Sequence, residues 1–377
     1  MDPVRIKEVC YVFLKLGIIG FGGPAAHIAM MEEEIVNKRK WISREHFLDL
    51  IGATNLIPGP NSTEMSMHCG HERAGLPGLF LGGICFIFPA ALIMGILAWL
   101  YASYGSVPEV KPFLYGIKPA IIAIIINAIF KLGKTALKNW QLGLIGTGVV
   151  IASLAGINEI YALLCAGLFA IIWFSGKDKL RPSSLSSFSP FIFSLIPFAK
   201  SITPGELFWI FIKIGATLFG SGYVLVAYLQ AEFVDKTGWL TQGQLLDAVA
   251  LGQFTPGPLF TTATFIGYQV ASLPGAVIAT IGIFLPSFLF VFVLNPFVPK
   301  LRKSRVMSYF LDGVNIGAIG VMLAVTFQLC NSVLTDLNAW FIAIASLITV
   351  FGFRKLNATW IIAGGAIAGY LLHIMNL

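Results

Sequence analysis

The tripeptide Pro-Gly-Pro occurs twice, at Pro58-Gly59-Pro60 and Pro256-Gly257-Pro258, 198 residues apart and each time within a stretch apolar enough to be buried. No continuous helix passes through such a break. Proline lacks an N–H and fixes φ, the residue before it is pushed out of the α region, and a glycine between two prolines permits turns that other residues resist. One helix must end and another begin, with Pro60 and Pro258 suited to the first helical position. The free N–H groups around Asn61-Ser62-Thr63 and Leu259-Phe260-Thr261 then turn the positive helix-end potential toward the gap, which makes each break an anion site.

Composition puts that gap inside a membrane. Of the 377 residues 57% are hydrophobic and 11% charged, with a mean hydropathy of +0.83, more apolar surface than a soluble fold of this length can bury. The chain is read as an all-α, multi-span membrane protein. Its net charge of +7 does not point to nucleic acid, because the basic residues cluster in short loops between apolar runs, as cytoplasmic loops do. Cys10, Cys69, Cys85, Cys165 and Cys330 are scattered without paired spacing and read as small buried hydrophobes. No cofactor is called for.

Val9 to Met31 is the first apolar run, interrupted by Lys15 and by Gly20-Phe21-Gly22-Gly23-Pro24. A signal peptide is the competing reading, and it fails because the same run returns at Glu206 to Leu229. Ser43 caps a helix running into Pro58. Its dozen residues cover about 20 Å, short of a hydrocarbon core of roughly 30 Å, so the segment is expected to dip in and not cross. Residues 61–73 are polar for that depth and must face protein or a water-filled cavity. Spans follow at Ala74–Tyr101, Phe113–Phe130, Trp140–Ile157 and Glu159–Phe174, and residues 176–204 form a basic, Ser- and Pro-rich cytoplasmic linker between a first repeat (1–175) and a second (205–377).

Lys15 and Lys213, Glu34 and Glu232, Trp41 and Trp239, Asp49 and Asp247, and Thr63 and Thr261 all share the 198-residue offset. One residue is then lost, and later spans at Gly275–Leu294, Val306–Leu329, Ala339–Phe351 and Thr359–Met375 match at 197. Each half thus has five crossings and one broken hairpin. An odd number of crossings inverts the second half. The basic residues agree: the first hairpin's loop holds Lys38, Arg39, Lys40, Arg44 and Arg73, a later loop of the same half Lys131, Lys134 and Lys138, while the second hairpin keeps only Lys236 and the second half's basic loops are Lys300–Arg305 and Arg354-Lys355. Both termini are expected outside, with the linker around Lys179 and the loop around Lys303 inside. Inverted repeats whose broken helices meet near the midplane are the architecture of a secondary transporter.

Phe21-Gly22-Gly23-Pro24-Ala25-Ala26-His27-Ile28 with Met30-Met31-Glu32-Glu33-Glu34, Ile57 through Glu64, and Phe254-Thr255-Pro256-Gly257-Pro258 closely resemble the chromate ion transporter family across both halves. The resemblance implies an exporter of chromate, with sulfate as the close analogue, and half-length relatives. Phe219-Gly220-Ser221-Gly222 departs from it, since Ser221 stands opposite Gly23.

The expected substrate seat lies between Pro58, Gly59, Pro60, Asn61, Ser62 and Thr63 of one half and Pro256, Gly257, Pro258, Thr261 and Thr262 of the other, with the turns at Gly22-Gly23 and Gly220-Ser221 nearby. N–H groups and hydroxyls at helix starts hold a tetrahedral dianion while letting it leave. Close helix packing is the alternative use of these glycines. Lys15 and Lys213 either offset substrate charge or snorkel to headgroups. Asn55, Gln253 and Glu64 line the site or cap loose helix ends. Asp49 and Asp247 read as helix-pairing groups. His68-Cys69-Gly70-His71-Glu72 lacks a complete ligand set, so no metal is assigned, and no nucleophile, base and orienting group come together for an enzyme. Transport of sulfate, another anion or a coupled cation pair remains open, as does a homodimer. Electrogenic export is expected, because Glu64 is matched by Thr262 and no repeated carboxylate cluster holds accompanying cations.

Overall fold

In the computed structural model, which describes residues 2–105, 107–177, 203–219, 222–294, 304–353 and 356–375, the chain is helical, with no strand among the described residues. The first half comprises α1 (Pro3–Ile19), α2 (Pro24–Met31), α3 (Arg44–Thr54), α4 (Asn61–Tyr104), α5 (Lys111–Ala136), α6 (Trp140–Leu154) and α7 (Glu159–Lys177). The second repeats it as α8 (Pro204–Thr217), α9 (Val224–Leu229), α10 (Gln242–Phe254), α11 (Thr262–Leu294), α12 (Arg305–Val333), α13 (Leu337–Gly352) and α14 (Ala358–Ile374). Both α2 and α9 continue into one π-helical segment, Glu32–Lys38 and Gln230–Lys236. Ser43 caps α3 as its sequence requires, and Thr241 does the same for α10. Pro60 and Pro258 stand one position before the first helical residue, so Asn61 opens α4 and a short 3₁₀ turn, Leu259–Thr261, precedes α11. Most of the 176–204 linker, the residues of Lys300–Lys303, the pair Arg354-Lys355, and Gly220 and Ser221 lie outside the described residues.

The run from Val9 to Met31 is two helices. Gly22 and Gly23 take φ of +110° and +80°, a region L side chains avoid, and Pro24 restarts the chain as α2. The π segment after α2 lies back along α1, where Lys15 meets Glu34 at 3.2 Å. This corrects the expected placement of the N-terminus opposite the basic loop. Arg73 holds Glu8 at 2.6 Å and the Arg39 guanidinium sits 5.8 Å from the centre of the Tyr11 ring, so the start of α1 shares one end of the bundle with residues 38–46 and 73. The glycines reverse the chain where the sequence reading had them interrupt a span.

Helix α4 also folds back, at Ala74 and Gly75, into arms 61–73 (α4a) and 76–104 (α4b). The arms touch backbone to backbone: Gly70 faces Gly78, and a Cβ on Gly82 would lie 2.7 Å from the Ser66 carbonyl oxygen. Helix α11 repeats this, reversing at Ala271 and Ser272 into 262–270 (α11a) and 273–294 (α11b), with Gly267 against Gly275. Helices α3 and α4a form the hairpin around Pro58-Gly59-Pro60, and its outer ends meet where His46 Nε2 lies 3.3 Å from Glu72 Oε1.

The second half enters from the opposite end. Gln269, beside the reversal in α11, donates to the Ala98 carbonyl toward the far end of α4b (3.1 Å), while Phe288, late in α11b, stacks on Phe80, early in α4b, with ring centres 5.8 Å apart. The two long arms are therefore antiparallel neighbours, as inverted repeats require. Segments Asn61–Tyr104, Lys111–Ala136, Leu259–Val293 and Arg305–Val333 are long and apolar enough to cross a membrane, and α6, α7, α13 and α14 are shorter apolar helices. Outward-facing Phe88, Ile151, Ile172, Phe341 and Trp360 are exposed, which suits a lipid surround.

Candidate functional site

The two Pro-Gly-Pro loops dock reciprocally. Gly59 N–H donates to the Leu218 carbonyl at the end of α8 (2.8 Å), and Gly257 N–H donates to the Gly20 carbonyl at the end of α1 (2.7 Å). All four residues obey the 198-residue offset, so each bond is the image of the other. Glycine is required in both loops: φ is +139° at Gly59 and +91° at Gly257, a Cβ on Gly257 would lie 2.7 Å from that of Ala90, and one on Gly59 would run into the Ser287 hydroxyl and the Glu64 carboxyl.

Two cavities border these junctions. The larger, about 680 Å³, runs from Lys138 on the basic end and Ser304 at the start of α12 inward to Asn55, Asn61 and Gly22-Gly23-Pro24. The smaller, about 330 Å³, takes Gln253, Thr255, Gly257 and Asn357 in its wall. Gly22, Gly23, Pro24, Asn127, Lys131 and Tyr223 border both. Both volumes suit a small ligand. Close packing does not explain Gly23, since a Cβ there meets nothing within 4 Å; its positive φ does.

Two polar stripes wall the larger cavity. Asn127, Lys131, Thr135 and Lys138 follow helical spacing along α5 and its end, and Ser304, Ser308, Asp312 and Asn315 do so along α12. Asp312, a lining carboxylate, lies 2.6 Å from Lys138 Nζ. Lys131 has no carboxylate within ion-pair distance among the described residues. Its ammonium therefore leaves the region beside the N-terminus of α2 positive.

Of the site residues expected from sequence, Gly22, Gly23, Asn55, Asn61, Gln253 and Gly257 come together in these walls. Pro58, Gly59, Pro60, Pro256 and Pro258 are buried in the docked loops. Ser62, Thr63, Glu64, Thr261 and Thr262 are buried behind the walls, where the Thr261 and Thr262 hydroxyls each donate to a backbone carbonyl at 2.8 Å. Lys15 and Lys213 are paired with Glu34 and Glu232, with Arg39 and Lys236 adding second contacts at 3.3 Å. Asp247 is a helix-pairing group: it accepts from Tyr101 (2.7 Å) and lies 3.7 Å from Lys118, tying α10 to α4b and α5.

Asn127, Lys131, Tyr223 and Asn315 were missed by sequence reasoning. Asn127 is a lone polar residue amid the isoleucines of α5, and Lys131 follows one turn later. That spacing was the available signal, obscured because Lys131 also fits a cytoplasmic loop.

Two inverted halves, with broken helices docked on each other beside polar cavities in an apolar multi-span bundle, define a membrane transport protein. The chain belongs to the chromate transporter family, which matches residues 7–171 and again 205–370. It is 32% identical over 376 residues to a probable chromate transport protein of Synechococcus elongatus, covering 97% of this chain and 95% of the relative. It is 30% identical over 380 residues to the chromate transport protein of Cupriavidus metallidurans, covering 98% and 93%. A half-length relative, an uncharacterized transporter of Bacillus subtilis, is 28% identical over 183 residues and covers 46% of this chain and 90% of its own length. No solved structure matches the chain. The protein is a multi-pass protein of the cell membrane.

Proposed function

We propose that the protein exports chromate, a tetrahedral oxyanion, and that the membrane potential drives export. The charge balance of the cavities carries this reading: among the described residues Lys131 has no carboxylate partner and borders the cavities together with Pro24 at the start of α2, while Asp312 is neutralised by Lys138. Such a wall attracts a dianion and repels a cation. The names of the two full-length relatives support the choice of chromate. Sulfate, with the same charge and shape, is the expected competitor.

The positive-inside rule makes the basic end cytoplasmic. The larger cavity starts there, at Lys138 and Ser304, so it can load from the cytoplasm as an exporter must. Moving one charge through 100 mV is worth about 2.3 kcal/mol, so a dianion leaving a cell that is negative inside gains roughly 4.6 kcal/mol. Export then needs no coupled ion for its energy. In vesicles of known orientation, chromate flux in the export direction is expected to follow an imposed potential with no pH gradient present. Flux indifferent to potential and dependent on a proton or sodium gradient overturns the mechanism.

A further inference from the structure

Glu64 has no role in the cavity described above. It is 0% exposed, and among the described residues neither carboxyl oxygen has a hydrogen-bond partner of ordinary geometry. The hydroxyl of Ser287, on α11b of the other half, is likewise buried, with no hydrogen-bond partner of ordinary geometry among the described residues, and both groups press on the face of Gly59. An ionised carboxylate with no cation and only this one hydroxyl against it is strongly disfavoured, whereas the neutral acid packs there at a much smaller cost.

Among the described residues no lysine or arginine lies within ion-pair distance of Glu64; on α3, Arg44 is taken by Glu32 and His46 by Glu72. On α1, Lys15 is taken by Glu34; on α2, His27 donates from Nε2 to the Gly20 carbonyl at 2.8 Å. His68 stands one turn along α4a, and Cys85 is the ionisable side chain of residues 79–90 on α4b. Residues 214–218 of α8 and 283–291 of α11b contain no ionisable side chain. The repeat also departs from its own symmetry here, since the matching Thr262 satisfies its hydroxyl on the Leu259 carbonyl. One Pro-Gly-Pro loop is backed by an acid and the other is not.

We propose that Glu64 is a proton-binding site that ties protonation to the docking of the Pro58-Gly59-Pro60 loop on Leu218. With the carboxyl O–H intact, the acid packs against Ser287 and Gly59 and the loop stays docked. When water reaches the side chain, the O–H bond breaks, the proton passes to water, and the carboxylate can no longer return to the dry contact. Redocking takes up one proton, and no other bond changes. The inference leaves the potential as the driving force and adds proton control of one step; only the flux arm below rests on the export reading.

Infrared difference spectra of the reconstituted protein, titrated with acid and base, read the site directly. The carbonyl band of a protonated carboxylic acid is expected at neutral pH, lost in Glu64→Gln and shifted in Ser287→Ala, which leaves the acid in place should the first variant misfold. A neutral-pH spectrum with no band that responds to either substitution overturns the proposal. In the flux arm, the wild-type chromate rate is expected to show a pH step that Glu64→Gln loses and Glu64→Asp keeps. The substrate's own protonation is common to all three proteins and cancels in their ratios. An identical step in wild type and Glu64→Gln overturns the coupling. A wild type that moves no chromate refutes the export reading instead, and the infrared arm still decides Glu64.

Discussion

Lys131 and Asn127 sit one helical turn apart on α5 and border both cavities. If Lys131 holds the anion, Lys131→Gln is expected to raise the apparent KM for chromate about tenfold to a hundredfold, matching the roughly 1.5–3 kcal/mol of a hydrogen bond to a charged group. Lys131→Arg should keep most of the affinity, and equal losses in both variants in a flux assay would argue for a packing role. At the docked loops, Gly257→Ala forces a residue into φ of +91° against Ala90. Strain of about 1–3 kcal/mol is expected, with transport lost and membrane insertion retained, as seen by flux beside a detergent-solubilised melting curve. The glycines of both breaks were legible in the sequence because backbone geometry leaves few substitutes for Pro-Gly-Pro. Lys131 was not, since a lysine at a helix end looks the same whether it faces lipid headgroups or a cavity. Ser62 and Thr63 were expected in the seat for their hydroxyls, but the docking that buries them is a contact with the other half, invisible to local pattern.

Among the elements, the division of each half into short and long helices followed from glycine, proline and caps, and Ser43, the Pro-Gly-Pro breaks and the boundary at Ala74 all lie where those rules put them. The reversal at Gly22-Gly23 did not, because an apolar run of that length satisfies the criterion for a span whether it continues or folds back. The pairing of Lys15 with Glu34, nineteen residues on, ties the folded-back arm to α1 and is echoed by Lys213 and Glu232. Asp247 is the comparable tie across the repeats, joining α10 to Tyr101 of α4b and Lys118 of α5. Asp247→Ala is expected to cost about 2–3 kcal/mol, below the roughly 3–5 kcal/mol of a fully buried pair because the Lys118 side chain keeps 28% exposure. Asp247→Asn, which still accepts from Tyr101, should lose less; matching melting temperatures for the two variants would contradict this account.

For the whole molecule, inversion makes a topological prediction. Single cysteines replacing Lys40 and Lys236 are expected to be labelled from opposite faces of intact cells, Lys40 from the cytoplasm, and a tag at the N-terminus should share the face of Lys40. Labelling of both cysteines from one side would exclude the inverted arrangement. The pairing of Leu218 with Gly59 and of Gly20 with Gly257 has a mechanical counterpart in the main chain, but the side chains around it do not match. Glu64, His27 and Lys131 correspond to Thr262, Leu225 and Gln328. Were the halves identical, exchanging their roles would turn one open form into the other at no energetic difference, and an empty carrier at zero potential would wait equally often at either face. These three positions lift that degeneracy. By detailed balance the resulting bias cannot change how far the anion is finally driven, but it sets the side on which the empty carrier waits, and hence the concentration range over which the cell is cleared quickly.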